Sequence, residues 1–185
     1  MLEGKFLALI HIIAFSIVFT KSSAYGEIRF DQGWWRAELT GGIGVDSVST
    51  SDREGDFLVT AAAEYEFPAM NRLSLGLRLV PFFLYEQDGN NETVWGGGAG
   101  LAGRLYLLED EYSGLYAEAA GNGIVHENKI RGNSSNFNFL ISAGIGYRFR
   151  NNWFSAVKYS HISNANFGSR NSGAETVSLA VGYSF

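Results

Sequence analysis

The chain has 185 residues, and its 14 basic and 19 acidic side chains give it a net charge of −5. This acidic balance disfavours nucleic acid as a partner, because phosphate backbones attract basic surfaces. The absence of cysteine excludes a disulfide framework and a thiolate metal site, and only His126 and His161 follow residue 24. We therefore expect no metal centre and no cofactor.

The N-terminus is typical of an export signal. Lys5 precedes an apolar run over residues 6–19, and residues 22–24 supply the small side chains that signal peptidase requires. A retained transmembrane anchor is the alternative, but the run is short for a bilayer span of about 20 residues. We predict a signal peptide over residues 1–24 and a single domain over residues 25–185, with a net charge of −6.

Eight segments after the signal alternate between apolar and polar or small residues with a period of two, as β-strands do. They are Trp35–Val45, Phe57–Phe67, Leu73–Tyr85, Trp95–Leu107, Leu115–Val125, Phe137–Phe149, Trp153–Ser163 and Glu175–Phe185. Each is close to the roughly 9–11 residues that a tilted strand needs to cross a bilayer. Short connections alternate with long polar ones, as periplasmic turns and external loops do. The sequence predicts an all-β fold, an eight-stranded antiparallel transmembrane β-barrel.

Alternation alone does not decide which face of the strands is inside. One set is bulky and aromatic at its ends, which is typical of a lipid-facing wall. Aromatic residues are expected in a girdle at each membrane interface: Trp35 and Trp153 in one, and Tyr85, Trp95 and Phe137 near the other. The other set combines glycine with charges of both signs, as a narrow packed lumen does, and such a lumen disfavours a channel. A soluble lipocalin-like barrel, with the apolar set inside, is the alternative.

The last segment carries Leu179, Val181, Tyr183 and Phe185 on one face. This pattern resembles the C-terminal signature that the barrel-assembly machinery of Gram-negative bacteria recognises. We therefore expect that machinery as a partner for insertion, and the outer membrane as the location of the protein. The sequence leaves open whether the barrel forms a homodimer.

Three polar residues interrupt the apolar set of the last two segments. His161 and Ser163 continue the apolar parity of the seventh segment, and Glu175 continues that of the eighth. Polar groups on a lipid-facing surface are costly unless they are paired. If His161 lies opposite Glu175, their Cβ atoms are about 4.5–5.5 Å apart, and Ser163 follows after about 6.6 Å of backbone rise. These residues supply the nucleophile, base and orienting acid of a hydrolytic triad, unless they merely mark a solvated hairpin tip.

The stretches His161–Ala165 and Asn171–Glu175 resemble the active-site signature of the lipid A 3-O-deacylase family. Members of that family are eight-stranded outer-membrane barrels with a Ser-His-Glu triad on the outer wall. The resemblance implies that Ser163 is the nucleophile, His161 the general base and Glu175 its orienting partner.

The resemblance also implies supporting residues in the loop between those stretches. Asn171 matches the asparagine of the family's oxyanion hole, and Asn164 belongs to the same motif. Asn166 departs from the pattern, because a glycine whose backbone N–H helps to hold the oxyanion is expected there. Asparagine tolerates left-handed backbone angles better than most residues do, so the turn is expected to form. The sequence does not decide whether the N–H of Asn166 serves as an oxyanion donor.

The implied reaction is hydrolysis of an ester-linked acyl chain of lipid A in lipopolysaccharide, at the 3-O position, through an acyl-enzyme on serine. Arg170, Lys129 and Arg131 lie in predicted external loops, where they would either bind the phosphates of lipid A or remain ordinary solvated charges. His126 falls on the lumen parity and is predicted to be packed rather than catalytic.

Two other functions account for part of the pattern. A non-catalytic structural or adhesin-like barrel explains the alternation, but not the shared outer face of the histidine, serine and glutamate. An outer-membrane phospholipase or esterase is compatible with the triad, although calcium-dependent phospholipase barrels are larger.

Overall fold

The computed structural model describes residues 28–47, 52–89, 91–107 and 112–185, and the predicted signal peptide lies outside them. In these ranges a short 3-10 helix, Phe30–Gln32, precedes eight strands. The strands are β1 (Trp34–Val45), β2 (Phe57–Met70), β3 (Leu73–Glu86), β4 (Val94–Tyr106), β5 (Gly114–His126), β6 (Phe137–Arg148), β7 (Trp153–Ser163) and β8 (Ala174–Ser184). No helix in this part of the chain is long and apolar enough to cross a bilayer.

The eight strands close into a barrel. Each pairs antiparallel with its neighbour in sequence, and β8 pairs with β1, so every strand has a partner on both sides. The predicted fold is confirmed, and most strand ends differ from the prediction by one residue at most. The largest difference is at β2, which continues past the predicted end at Phe67 to Met70.

The apolar side chains face outward and the charged ones face inward. Leu39, Leu101 and Val157 expose 54%, 62% and 58% of their surface although they lie within paired strands, whereas Arg36 and Lys158 expose 2% and 4%. This is the inverse of a soluble barrel, whose interior is apolar, and it matches a barrel whose outer wall meets lipid. The lipocalin-like alternative is therefore wrong.

Six charged side chains form a closed ring of alternating sign in the lumen. Lys158 Nζ lies 2.8 Å from both carboxylate oxygens of Glu38 and 2.5 Å from Glu118. Arg104 joins Glu118, through Nε at 3.0 Å, to Glu64. We call this set the lumen ring: Arg78, Glu38, Lys158, Glu118, Arg104 and Glu64. Because each charge has two partners of opposite sign, the cost of removing it from water is offset.

A β-bulge in β3 overturns one prediction. This strand has one residue more than β2 between Leu79 and Phe82, and one more than β4 between Val80 and Phe83. An extra residue inverts the alternation beyond it, and both Phe83 and Tyr85 therefore point into the lumen with no exposed surface. The prediction that Tyr85 joins the external aromatic girdle is wrong, whereas Trp95 and Phe137 lie outside, 46% and 39% exposed.

Candidate active site

The hairpin of β7 and β8 carries the predicted triad. β7 ends at Ser163, and the register with β8 pairs His161 directly with Glu175, as the sequence predicted. Across the other edge of β7, Ser163 lies opposite Phe139 of β6. All three polar residues have the outward parity of their strands, so the fold brings them to one patch of the outer wall.

A carboxylate holds the imidazole of this patch. His161 Nδ1 lies 3.0 Å from Glu175 Oε1, and the Glu175 side chain is 3% exposed whereas that of His161 is 38% exposed. Because a carboxylate oxygen accepts, Nδ1 carries the hydrogen, and in the neutral imidazole Nε2 then has the lone pair. The pair is thus an oriented base with one open nitrogen.

Gly173 packs against the same imidazole. A Cβ at this position would lie 2.6 Å from His161 Cε1 and 3.4 Å from Nδ1, so a larger residue would displace the ring. The buried guanidinium of Arg53 donates through Nε to the Gly173 carbonyl at 3.1 Å and through Nη2 to the Ser172 carbonyl at 3.0 Å. Gly173 lies within the matched stretch Asn171–Glu175 but was given no role. Arg53 was not predicted, because it is 120 residues away in sequence and outside the alternating segments.

Ser163 lies two positions further along the face that carries His161. It is 8% exposed, and no hydrogen bond in the described part of the chain joins it to the imidazole. Two residues of a strand correspond to about 6.6 Å of backbone rise. Hydrogen bonds between catalytic groups are often formed or tightened only when the substrate binds. The fold therefore brings base and carboxylate into contact and leaves the serine as their neighbour on the same face.

Asn164 organises the loop that follows β7. It is fully buried, and its Nδ2 donates to Asn133 Oδ1 at 2.7 Å and to the Arg170 carbonyl at 2.9 Å. Its Oδ1 accepts from the backbone N–H of Asn166 at 2.9 Å, and its own backbone N–H donates to Asn171 Oδ1 at 3.0 Å. One side chain therefore fixes both ends of the loop beside Ser163.

The two expected oxyanion donors have different surroundings. The Asn171 Nδ2 group donates one hydrogen to Asn166 Oδ1 at 3.2 Å, which leaves its second hydrogen for another acceptor. Asn166 adopts the left-handed conformation, with φ at 64°, that the expected glycine would also allow. Its backbone N–H, however, already donates to Asn164, so of these two groups it is the Asn171 amide that has a hydrogen for an incoming oxyanion.

The three loop cations predicted to meet phosphate are not equivalent. Arg131 Nη2 lies 3.1 Å from Asp56 Oδ1, and its guanidinium also contacts Asp52, so it ties external loops together. Lys129 and Arg170 are exposed, and Arg170 is linked to the rest of the loop through its backbone, which bonds Ser134.

An aromatic shelf beside Ser163 was not among the predicted site residues. Phe139, which lies opposite Ser163, contacts Phe137 and Phe167 with ring centroids 5.1 and 6.1 Å away. Phe167 stands 77% exposed in an otherwise polar loop. A single aromatic residue in a polar stretch is the feature of the sequence that could have indicated Phe167.

His126 lies on the lumen side of the same end, as predicted. It is 5% exposed, and its Nε2 lies 2.6 Å from Asn138 Nδ2. Within the described ranges, no three histidine or acidic side chains form a group that could hold a metal ion.

Comparison with known proteins gives one family match and a common fold. The family model described as lipid A 3-O-deacylase (PagL) matches residues 24–184, and no curated protein matches the chain. A de novo designed transmembrane β-barrel is 14% identical, with a TM-score of 0.52 over 83% of this chain and 97% of its own. Neisserial surface protein A (NspA) is 13% identical, with a TM-score of 0.51 over 86% of this chain and 99% of its own. At these identities the two structures establish the barrel fold alone.

Proposed function

The chain belongs to the lipid A 3-O-deacylase family, and from this premise we propose that it is a serine esterase that removes the 3-O-linked acyl chain of lipid A. The barrel resides in the outer membrane, where lipid A is found. Ser163 is the nucleophile, His161 the general base and Glu175 its orienting acid. The observation that carries the proposal is the 3.0 Å contact between His161 and Glu175 on the outward face that also carries Ser163.

The proposed mechanism follows from the open nitrogen of the imidazole. Ser163 Oγ attacks the ester carbonyl while His161 Nε2 takes the hydroxyl proton, and the same proton then passes to the departing sugar oxygen. Water attacks the acyl-enzyme with His161 again as base, which releases the fatty acid and restores the serine. Glu175 supports the positive charge on the imidazole in both steps.

The developing negative charge on the carbonyl oxygen needs a donor close to Ser163. The Asn171 amide supports this role, because its Oδ1 is anchored by the Asn164 backbone and its Nδ2 points toward exposed Asn166. One such donor is worth about 10²- to 10³-fold in rate in serine hydrolases. The N–H of Asn166 has no part in the proposal, because Asn164 already accepts it.

Two features favour a lipid ester over a soluble one. The candidate triad lies on the wall that exposes apolar side chains, and the aromatic shelf of Phe137, Phe139 and Phe167 offers an apolar surface beside the serine. An acyl chain that remains among its neighbours in the leaflet can lie along this shelf while its ester reaches Ser163. Exposed Arg170 and Lys129 are the cations that we propose for the sugar phosphates.

The test compares Ser163→Ala with Ser155→Ala, a serine of the same strand and the same outward parity. Purified, refolded protein is given lipid A in detergent micelles, and released fatty acid and residual lipid A are measured by mass spectrometry. We expect wild type and Ser155→Ala to remove one chain and Ser163→Ala to remove none. A lipid A that already lacks the 3-O chain should release nothing from any of them.

Each other outcome identifies a different error. Equal release by Ser163→Ala and wild type would reject the triad. Release of fatty acid from the substrate that lacks the 3-O chain would reject the 3-O position as the site of cleavage. No release by wild type from lipid A, with release from a glycerophospholipid, would favour a phospholipase, and no release from either would favour a structural barrel.

A further inference from the structure

A chain of four buried polar side chains connects the lumen to the loop of the candidate site. His126 Nε2 lies 2.6 Å from Asn138 Nδ2, Asn138 Oδ1 accepts from Asn133 Nδ2 at 2.7 Å, and Asn133 Oδ1 accepts from Asn164 Nδ2 at 2.7 Å. All four are at most 5% exposed. The chain starts at the end of β5, passes β6 and the loop before it, and ends next to Ser163.

The hydrogen bonds of this chain all run in one direction, and groups at both ends fix it. At the loop end Asn164 Nδ2 donates to the Arg170 carbonyl and its Oδ1 accepts from the Asn166 backbone N–H. His126 Nδ1 lies 2.9 Å from the carbonyl oxygen of Asn128 and 3.2 Å from that of Glu127, and both oxygens can only accept. Nδ1 therefore carries the hydrogen, and neutral Nε2 must accept from Asn138. This fixes the Asn138 amide with its oxygen toward Asn133, and each following amide has the same orientation.

The orientation reaches the proposed oxyanion donor. With Nδ2 of Asn164 committed to Asn133, its Oδ1 is left to accept from the Asn166 backbone, which closes the turn of left-handed residues. The Asn164 backbone N–H then binds Asn171 Oδ1, so the Asn171 amide must turn its Nδ2 toward the exposed side. A reversed amide anywhere in the chain would place two donors or two acceptors face to face.

We infer that His126, Asn138 and Asn133 are positioning residues, which hold Asn164 in place and, through its backbone N–H, hold the Asn171 amide with its donor toward the substrate. The inference rests on the proposed function, because that function supplies the oxyanion that the donor meets. None of the three touches the reacting atoms. Their part is to anchor the Asn164 side chain through Asn133, so that the Asn164 backbone N–H stays opposite Asn171 Oδ1.

The decisive variants differ only in whether an acceptor faces Asn138. His126→Leu removes it, whereas His126→Gln keeps it, because the amide oxygen of glutamine occupies about the place of imidazole Nε2. Asn138→Leu interrupts the chain at the next position. Asn122→Leu is the matched control, since Asn122 is also a buried asparagine of the lumen, 3% exposed, but lies outside the chain.

We expect His126→Leu and Asn138→Leu to lower kcat for acyl release by about 10- to 100-fold, below the full cost of a lost oxyanion donor, with KM little changed. His126→Gln should recover most of the rate, and Asn122→Leu should match wild type. If His126→Leu and His126→Gln have the same kcat, the inference is wrong. It is equally wrong if Asn122→Leu is as slow as Asn138→Leu, because the effect would then be general loosening of the lumen.

Amide hydrogen exchange over residues 164–172 provides a second measurement that does not depend on catalysis. His126→Leu should speed exchange of the Asn164 and Asn166 amides relative to His126→Gln and Asn122→Leu, and unchanged exchange would overturn the inference. If wild type does not hydrolyse lipid A, the proposed function fails while this comparison still decides whether the chain orders the loop. If Ser163→Ala is inactive but His126→Leu is as fast as wild type, only the positioning inference fails.

Discussion

Two polar clusters lie on opposite sides of one barrel wall, and they differ in how far their side chains are exposed. In the lumen ring Glu64 contacts both Arg78 and Arg104, and no member exposes more than 8% of its surface. On the outer wall Glu175 is as deeply buried, but its partner His161 exposes 38% of its side chain. The charges of the first cluster neutralise one another inside the barrel. The second cluster exposes an imidazole that another molecule can reach.

The difference teaches that strand parity decides whether a charged or basic side chain of β7 joins the lumen ring or faces outward. Lys158 and His161 lie three residues apart on β7, and one completes the lumen ring while the other faces outward. A lumen so filled cannot admit a lipid, so a lipid-active site on this barrel must lie on the outer wall. Substitutions on the two sides should consequently separate activity from stability.

The largest effect on acyl release is expected from the outer cluster. His161→Ala should lower the rate by on the order of 10⁴- to 10⁶-fold, because a serine hydroxyl is a poor nucleophile without its base, and Glu175→Ala should cost less, on the order of 10²- to 10⁴-fold. Initial rates of fatty-acid release from lipid A measure both. A greater loss for Glu175→Ala than for His161→Ala would contradict the orienting role.

An intermediate effect is expected from the glycine that packs on the imidazole. Gly173→Ala would place a Cβ 2.6 Å from His161 Cε1, which forces the ring away from Glu175. A misplaced catalytic group costs up to about 10²-fold in rate, so we expect a loss of roughly 10- to 100-fold with unfolding unchanged. Gly121→Ala is the control, because its Cβ would have no heavy atom within 4 Å. Equal rates for the two variants would show that the ring position does not matter.

The smallest effect on rate, and the largest on stability, is expected from the lumen ring. Glu64→Ala removes the shared partner of Arg78 and Arg104 and should lower the free energy of unfolding by about 3–5 kcal/mol, as for other broken buried ion pairs. Urea unfolding in lipid vesicles, followed by tryptophan fluorescence, measures this loss, and exposed Glu92→Ala should show none. Folded Glu64→Ala should still hydrolyse lipid A at the wild-type rate. A loss of rate without a loss of stability would show that the lumen ring contributes to activity.

Most of the fold could be predicted from the sequence, because period-two alternation sets both strand identity and face. The outward parity of His161, Ser163 and Glu175 followed from counting along two strands of one hairpin. The bulge in β3 could not be predicted, because one extra residue leaves the apolar run from Val80 to Tyr85 unbroken in the sequence while inverting its faces in the structure.

The supporting contacts of the candidate site were equally beyond prediction. Arg53 reaches the carbonyl of Gly173 from a loop 120 residues away in sequence, and Asn164 meets Asn133 from a distance of 31 residues. Polar residues in loops have no periodicity, so only the closed barrel reveals which of them meet. The roles assigned to Ser163, His161, Glu175 and Asn171 remain predictions.

The place of Ser163 at the outer end of β7 has a kinetic consequence. As the proposed nucleophile, Ser163 would meet its ester by lateral diffusion within one leaflet, in two dimensions, rather than by capture from solution. Its turnover then depends on the mole fraction of lipid A at the surface, and inert lipid or detergent slows it by surface dilution even when the total substrate is unchanged. The freed fatty acid leaves by the same lateral route, so neither substrate entry nor product exit needs a passage through the barrel.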